Sequence, residues 1–599
     1  MADDDDDVVP IIFKTLVKTA DKKFSKVRDI PAHIRAPNHY FSTVFKAYTK
    51  LWKFQQQNRS KLTDAGLQRW EIGEIASRIG QLYFMQYMRT SEVRFLIESY
   101  IFYEAVLNRG YFDASHCMVK DRGLRFKELR FYARFLQVSL ILNRWEMVTH
   151  LLDRFRALVD DSNKTFGETS FKEWNIVMQE MARFMKVDAA ITNMRPLRYC
   201  FMFDSYPNSL KYVARFHARK VMKLRDALLM SYHRNEVKFG ELTIDTFRML
   251  QCLEWEPSEE LYQKQPVDSR GNAGLTNQSY SSGLIDINLV ADTMDPSLPP
   301  NPKKALLYRP SVTHLLSVMA TMCDGLPPDS VMLIYIAASG NSGQSQTSVT
   351  QRQKYQSART SNVSESNNLI PQINFNEKES SSHPFESSLW LGPSRTLGSN
   401  DLYPGDLIPF TRKPAFFIID SNNSHAFKAG LSKLVLHGAE RGEPAALFLS
   451  PSRPTFNSPL GDVTQYGSQF TLFLTEPLLA CCQMLGLTYS DVDAMEDAQS
   501  IVSTAFSEWE VILCTSTALD LAWAQVLSEP LLRRLILRFI FCRCLLTLYQ
   551  HEEGKDLYVP VCLPQLPDSV SPHSRVVQSA AIALTKHLKV SHCFRFDNL

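Results

Sequence analysis

Catalysis or ligand binding needs nucleophiles, bases or cations in the right company, and three places in the 599-residue sequence offer them. Asp420-Ser421-Asn422 closes a short apolar run, with His425 just beyond, where α/β folds place ligand-contacting groups. The same residue types also cap helices by accepting free backbone N–H groups, and no third member of a catalytic set stands near them. Gly340-Asn341-Ser342-Gly343 follows another apolar run, where glycines either cradle a phosphate on backbone N–H groups or open the polar tract behind them. Lys211, Arg215, Arg219, Lys220, Lys223 and Arg225 form a run of cations uninterrupted by any acid. On a helix, positions 211, 215 and 219 share one face, against which a negative partner docks or which solvent covers. Phosphate contacts from such a run are sequence-blind, so it predicts at most weak, nonspecific DNA association.

The sequence lacks H-E-x-x-H, G-x-S-x-G, G-x-x-x-x-G-K-[ST] and G-x-G-x-x-G, each of which marks a known catalytic or nucleotide-binding geometry. Its 11 cysteines include no C-x-x-C pair and no disulfide-like spacing. The expectation is therefore a protein with no catalytic residues, no metal and no cofactor. A formal net charge of +3, from 66 basic and 63 acidic residues, gives no global field for nucleic acid. The N-terminus begins with a run of Asp instead of the positive and apolar regions of a secretory leader, which points to nucleus and cytoplasm. The apolar stretch Leu531 to Tyr549 is interrupted by Arg533, Arg534, Arg538 and Arg543, so no transmembrane segment is expected.

The elements that must position these residues change character along the chain. Residues 1–40 form a charged N-terminal segment, acidic then basic, of the kind that is usually a solvated tail. Residues 41–256 carry apolar residues at three and four spacing with few prolines, which predicts a helical-hairpin domain. Leu107-Asn108-Arg109-Gly110 and Leu142-Asn143-Arg144-Trp145 end helices at an offset close to the tetratricopeptide period. Phe95, Phe102 and Tyr103 fall on one helical face as hairpin core. Pro257, Pro266, Pro296, Pro299, Pro300 and Pro302 make residues 257–303 a linker.

Beyond it, residues 304–599 read as an α/β domain with C-terminal helices. Ala305–Tyr308, Val331–Ile336, Ala415–Ile419, Ala445–Leu449 and Phe470–Leu474 are short apolar runs expected as strands buried on both faces. Helices are expected at Ser311–Met322, Pro477–Leu485, Ala494–Leu548 and Ser574–Leu588, giving a mostly parallel sheet. Ser, Asn and Gln fill almost half of residues 341–400, too polar a composition to build a core, so this insertion is expected to be disordered. The fold class is α plus α/β: a helical-hairpin array, then a mostly parallel α/β sheet with C-terminal helices.

Four further stretches carry a resemblance. The run Arg69-Trp70-Glu71-Ile72-Gly73-Glu74-Ile75-Ala76-Ser77-Arg78-Ile79-Gly80-Gln81-Leu82-Tyr83, with Arg89-Thr90-Ser91-Glu92, resembles the N-terminal signature of the SCAI family, the suppressors of cancer cell invasion. Phe410-Thr411-Arg412-Lys413-Pro414 with Ile419-Asp420-Ser421-Asn422, Phe470-Thr471-Leu472-Phe473-Leu474 with Pro477-Leu478, and Arg538-Phe539-Ile540-Phe541-Cys542 resemble its C-terminal half in the same order. The resemblance implies a non-enzymatic transcriptional corepressor. Its implied partners are proteins: the actin-regulated, myocardin-related coactivator of serum response factor downstream of Rho, or chromatin and DNA-repair factors. The polar insertion at 341–400 departs from the animal members of the family. A DNA-repair adaptor and a ligand-binding α/β protein are the alternative readings. The candidate partner-binding residues are Lys211, Arg215, Arg219, Lys220, Lys223 and Arg225, and the candidate strand-end loop is Asp420, Ser421 and Asn422.

Overall fold

A computed structural model describes residues 4–28, 30, 38–113, 121–188, 198–199, 221–255, 300–340, 388–394, 399–428, 445–453, 466–487, 492–550 and 555–596. The chain forms two compact units whose segments interleave in sequence. The first comprises Met1–Ser205, Arg225–Ala227 and Lys238–Ala305; the second comprises Tyr206–Leu224, Leu228–Val237 and Leu306–Leu599.

The first unit is a helix array: α1 Asp4–Arg28, α2 Asn38–Gln57, α3 Arg59–Asp64, α4 Arg69–Thr90, α5 Val93–Asn108, α6 Arg122–Ile141, α7 Trp145–Phe166 and α8 Glu168–Asp188. Helix α4 starts where the Gln68 N–H donates to the Glu71 carboxylate at 2.8 Å, and ends at Ser91 in the left-handed conformation. Gly73 and Gly80 lie seven residues apart on α4, so they share a face. A Cβ at Gly73 would meet the Tyr111 side chain at 2.6 Å, and one at Gly80 the Tyr103 ring at 3.1 Å. The missing side chains are what let two tyrosines close against the helix backbone. Ser99 fixes the approach by donating to the Gly80 carbonyl at 2.8 Å. Phe95, Phe102 and Tyr103 are all buried, and the Tyr83 ring stacks against both phenylalanines. The stripe is core, as its spacing implies.

The N-terminal segment is not a solvated tail over its whole length. Residues 4–28 are helical, and Phe13, Ala20, Phe24 and Val27 are buried among the charges. Their three- and four-residue spacing is an apolar stripe that the flanking charge runs obscure.

The second unit is built on a mixed sheet. Its strands are β1 Lys223–Tyr232, β4 Lys303–Tyr308, β5 Ser330–Gly340, β6 Leu389–Trp390, β7 Asp401–Leu402, β8 Ala415–Asp420, β9 Ala446–Leu449 and β10 Val561–Leu563; β2 Lys238–Phe239 and β3 Leu242–Thr243, which belong to the first unit, form a separate hairpin. The order is β10-β9-β8-β5-β1-β4, with β6 and β7 added at one end of β5. Strands β5, β8 and β9 are parallel, with Ala337 opposite Asp420 and Ile419 opposite Leu449, so their carboxyl ends emerge at one edge. Helices Val312–Asp324, Pro477–Met484, Val492–Thr515, Pro530–Leu548 and Arg575–His587 appear where apolar periodicity places them. On the sheet, Phe448 stacks on Phe539 with ring centroids 4.0 Å apart and planes 8° from parallel.

Three local expectations are corrected. Residues 223–232 form a strand, because the run Ala227-Leu228-Leu229-Met230 is buried in the sheet; a short apolar run fits either element. Phe470–Leu474 belongs to a helix, Gln469–Thr475, whose first turn is capped by Ser468 accepting from the Thr471 N–H at 3.3 Å. The polar insertion also ends earlier than position 400: Ser388, Leu389 and Leu391 are buried, and Leu389–Trp390 pairs with Ser339 and Gly340 of β5. Residues 341–387, and 257–299 of the expected linker, lie outside the described residues.

Candidate functional site

The carboxyl edge of β5, β8 and β9 gathers Gly340, Asp420-Ser421-Asn422-Asn423 and Ser450, residues far apart in the chain. The Gly340 N–H donates to Asn422 Oδ1 at 2.6 Å, and Asn423 Nδ2 donates to the Ser388 carbonyl at 3.1 Å. Ser421 and Ser450 bond reciprocally: the Ser421 N–H donates to Ser450 Oγ at 2.8 Å, and that hydroxyl donates to the Ser421 carbonyl at 3.0 Å. Ser424 Oγ donates to the Ser450 carbonyl at 2.6 Å. A Cβ on Gly340 would meet the Asn423 Cβ at 2.4 Å, so close approach of the Asn423 side chain accounts for the glycine. These contacts stitch neighbouring strand ends together.

Within the candidate loop, the cap and the carboxylate have separate roles. Ser421 Oγ accepts from the Asn423 N–H at 3.1 Å, at the start of the turn that becomes helical from Ser424. Asp420 faces the interior, where Thr471 Oγ1 donates to its Oδ2 at 2.7 Å. With its single proton committed there, the Thr471 hydroxyl accepts from the Tyr335 hydroxyl, also at 2.7 Å. Burial raises the Asp420 carboxyl above the usual range, opposed by the hydrogen bonds of Ser468, Thr471 and Ser450. The buried Cys542 thiol is pushed well up, first by its burial and then by the Asp420 charge.

Two serine–histidine contacts flank this edge. His233 Nδ1 lies 3.0 Å from Ser339 Oγ, and His425 Nδ1 lies 2.6 Å from Ser452 Oγ. Burial lowers the His233 pKa to about 4, so its ring is neutral at physiological pH. His233 Nε2 is buried with no hydrogen-bond partner among the described residues. A Ser–His pair becomes a nucleophile and base when a third group orients the ring; here the far nitrogen of His233 meets none, and the contact joins the end of β1 to β5. Sequence reasoning did not reach His233, which stands 106 residues from its serine and carries no local motif.

Of the cationic run, the two described residues lie on a strand and not on a helix. Lys223 and Arg225 project from β1, both exposed and two residues apart on the same side of the strand. Lys211, Arg215, Arg219 and Lys220 lie outside the described residues.

A second polar cluster, unsuspected from sequence, lies within the first unit. Lys304 Nζ and the Tyr87 hydroxyl both bond Glu254 Oε1, and Arg198 reaches Glu254 Oε2 at 3.6 Å. Glu254 is fully enclosed, which alone raises a carboxyl, but Lys304 and Arg198 outweigh burial and hold it below the usual range. Arg198 also donates to the Ile141 carbonyl, as does Gln251 Nε2 at 3.0 Å, so the cluster fastens the end of α6. Among the described residues no group of three or more His, Cys, Asp or Glu side chains is placed to hold a metal ion. No described helix is long and apolar enough to cross a membrane.

The family described as Protein SCAI matches residues 15–552 of this chain. The chain belongs to the SCAI family. Protein SCAI of Homo sapiens is 33% identical over 590 residues, covering 98% of this chain and 89% of the human one. Protein SCAI of Mus musculus matches to the same extent. The Protein SCAI homolog of Dictyostelium discoideum is 27% identical over 715 residues, covering 97% of this chain and 90% of its own.

The SCAI-like stretches have a common place in each unit. Arg69–Tyr83 is the helix that seats Tyr103 and Tyr111 on its glycines. Asp420 and Thr471, from two of the C-terminal stretches, are hydrogen-bonded to each other, the buried Cys542 of the third feels the Asp420 charge, and Arg538 Nη1 donates to the Leu474 carbonyl at 2.8 Å.

Proposed function

We propose that this chain is a non-enzymatic transcriptional corepressor that works by binding other proteins in the nucleus and cytoplasm. Membership of the SCAI family supports a regulatory, protein-interaction role. The observation that carries the reading furthest is the state of the sheet's carboxyl edge. Where an α/β protein processes a ligand, this edge is the usual site. Here Asn422 Oδ1 accepts from Gly340, Asn423 Nδ2 donates to Ser388, and Ser421 and Ser450 bond each other, so these groups are engaged within the protein. The partners implied by family resemblance are transcription coactivators of Rho- and actin-linked signalling, or chromatin and repair factors. Lys211, Arg215, Arg219, Lys220, Lys223 and Arg225 are the proposed partner-facing cations, of which Lys223 and Arg225 are exposed on β1.

Affinity purification of the tagged chain from nuclear extract tests this. Co-purification of transcription or chromatin factors, weakened by Lys223→Ser with Arg225→Ser at low salt, supports the reading. Recovery of chaperones and metabolic enzymes alone counts against it. Salt-sensitive retention on bare DNA with no protein partner favours the DNA-repair adaptor instead.

A further inference from the structure

The first unit holds a cleft of about 310 Å³, walled by α1, α4 and α6, whose charge balance is strongly positive. Two carboxylates line it, Asp21 and Glu74, and both are already engaged. Arg78 bridges them, bonding Asp21 through Nη1 and Glu74 through Nη2 at 2.5 Å, and Lys127 Nζ adds a second contact to Glu74 at 2.5 Å. Asp21 also accepts from the Tyr48 hydroxyl at 3.0 Å. Those contacts engage Arg78 and Lys127, and neither carboxylate is paired with Arg130 or Arg134.

Arg130 and Arg134 line the same cleft from α6 and make no ion pair among the described residues. Four residues apart, they stand one above the other on the helix, and Lys127 precedes them on that face. Like charges so stacked repel, a cost that an anion seated between them removes. Arg28 lines the cleft as well, from the last turn of α1, and Ser25, Ser77 and Gln81 add neutral hydrogen-bonding groups. The volume is at the small end of ligand pockets, too small for a folded peptide segment but matched to a compact ligand. Guanidinium forks bind carboxylate or phosphate oxygens in pairs, and a ligand with several phosphates carries enough oxygens and charge to serve both arginines at once.

We propose that this cleft is a binding site for a compact ligand bearing several phosphate groups, held by Arg130 and Arg134 with Lys127 and Arg78 behind them. The site is separate from the sheet edge and does not depend on the corepressor reading. Such a ligand would brace α1 against α4 and α6.

Titration calorimetry and thermal unfolding of the full chain with myo-inositol hexakisphosphate test the proposal, with inorganic phosphate as the weak-ligand control. The expected result is saturable binding that raises Tm at physiological ionic strength and weakens about tenfold or more in the variant Arg130→Gln with Arg134→Gln. The variant should unfold at the wild-type temperature without ligand, and Lys223→Ser with Arg225→Ser should bind like wild type. Vesicles of phosphatidylcholine with and without phosphatidylinositol bisphosphate separate a lipid headgroup from a soluble phosphate as the source. No binding, or equal binding by wild type and the Arg130/Arg134 variant, overturns the proposal. So does duplex DNA that binds as tightly and is lost in the same variant, since the cleft would then belong to a nucleic-acid surface.

Discussion

Thr471 donates its hydroxyl proton to Asp420 at 2.7 Å, joining the last residue of β8 to the first turn of a helix 51 residues further on. The contact explains why an acidic residue sits at the end of a buried strand. The free N–H groups of a helix's first turn favour a negative charge, and Asp420 supplies it from outside the helix.

Asp420→Asn keeps the size of the side chain and an oxygen that accepts from Thr471, so it should change stability by about 1 kcal/mol or less. Asp420→Leu leaves the Thr471 and Ser468 groups without an acceptor and should cost roughly 1–3 kcal/mol. Urea unfolding of both variants measures the difference. A hydrolase or transferase activity in the wild type, abolished by Asp420→Asn, would overturn the structural role.

His233 gives the fold an acid-sensitive element. Burial lowers its pKa to about 4 in the folded protein, whereas the unfolded chain titrates near 6.5. Between those values the unfolded state binds more protons, so stability falls as pH drops through this window and levels off below it. The full effect is about 3 kcal/mol for a shift of this size. In His233→Asn that part of the pH dependence should vanish, as read from unfolding midpoints between pH 7 and pH 4. An unchanged slope would place the titrating group elsewhere.

Glu254 should be among the least replaceable residues of the first unit. Glu254→Ala strands Lys304 and Arg198 in a buried site and should cost about 3–5 kcal/mol, while Glu254→Met with Lys304→Met should cost clearly less. Because its folded pKa is depressed, the stability from Glu254 is complete above the ordinary carboxylate range and is lost as pH falls through the lower folded value. Equal losses for the single and double variants would show that packing, not charge, sets the effect.

Replacing residues 341–387 with a short Gly/Ser linker should leave Tm within about a degree or two, since loop length enters stability only logarithmically. Extending the deletion to residue 400 removes Leu389, Leu391 and Asn400, which donates to the Pro310 and Gly392 carbonyls at 3.1 Å, and should lower Tm by several degrees. Equal melting of both deletions would mean that the 388–400 contacts add nothing.

Most of the architecture is legible in the chain because burial leaves a period. The helices from α4 to α7, the strands β4, β5, β8 and β9, and the helix over Pro530–Leu548 follow it directly. Two of the errors share one cause: Ala227–Met230 and Phe470–Leu474 are short runs buried on all sides, where period 2 and period 3.6 look alike. Decisive signals lie elsewhere, in Ser468 as a cap and in the sheet neighbours of β1. At the sheet edge, Asp420, Ser421 and Asn422 are conspicuous in sequence, but their partners are not. Gly340, Ser450, Thr471 and His233 come from distant segments, and only the folded topology brings them to one edge.

The most direct test of the corepressor reading is a reporter assay with the full chain tethered to a promoter through a heterologous DNA-binding domain. Transcription should fall below the level given by the DNA-binding domain alone, and Asp420→Asn, which keeps the fold, should repress equally well. Unchanged or increased transcription from a well-expressed, folded fusion would contradict it.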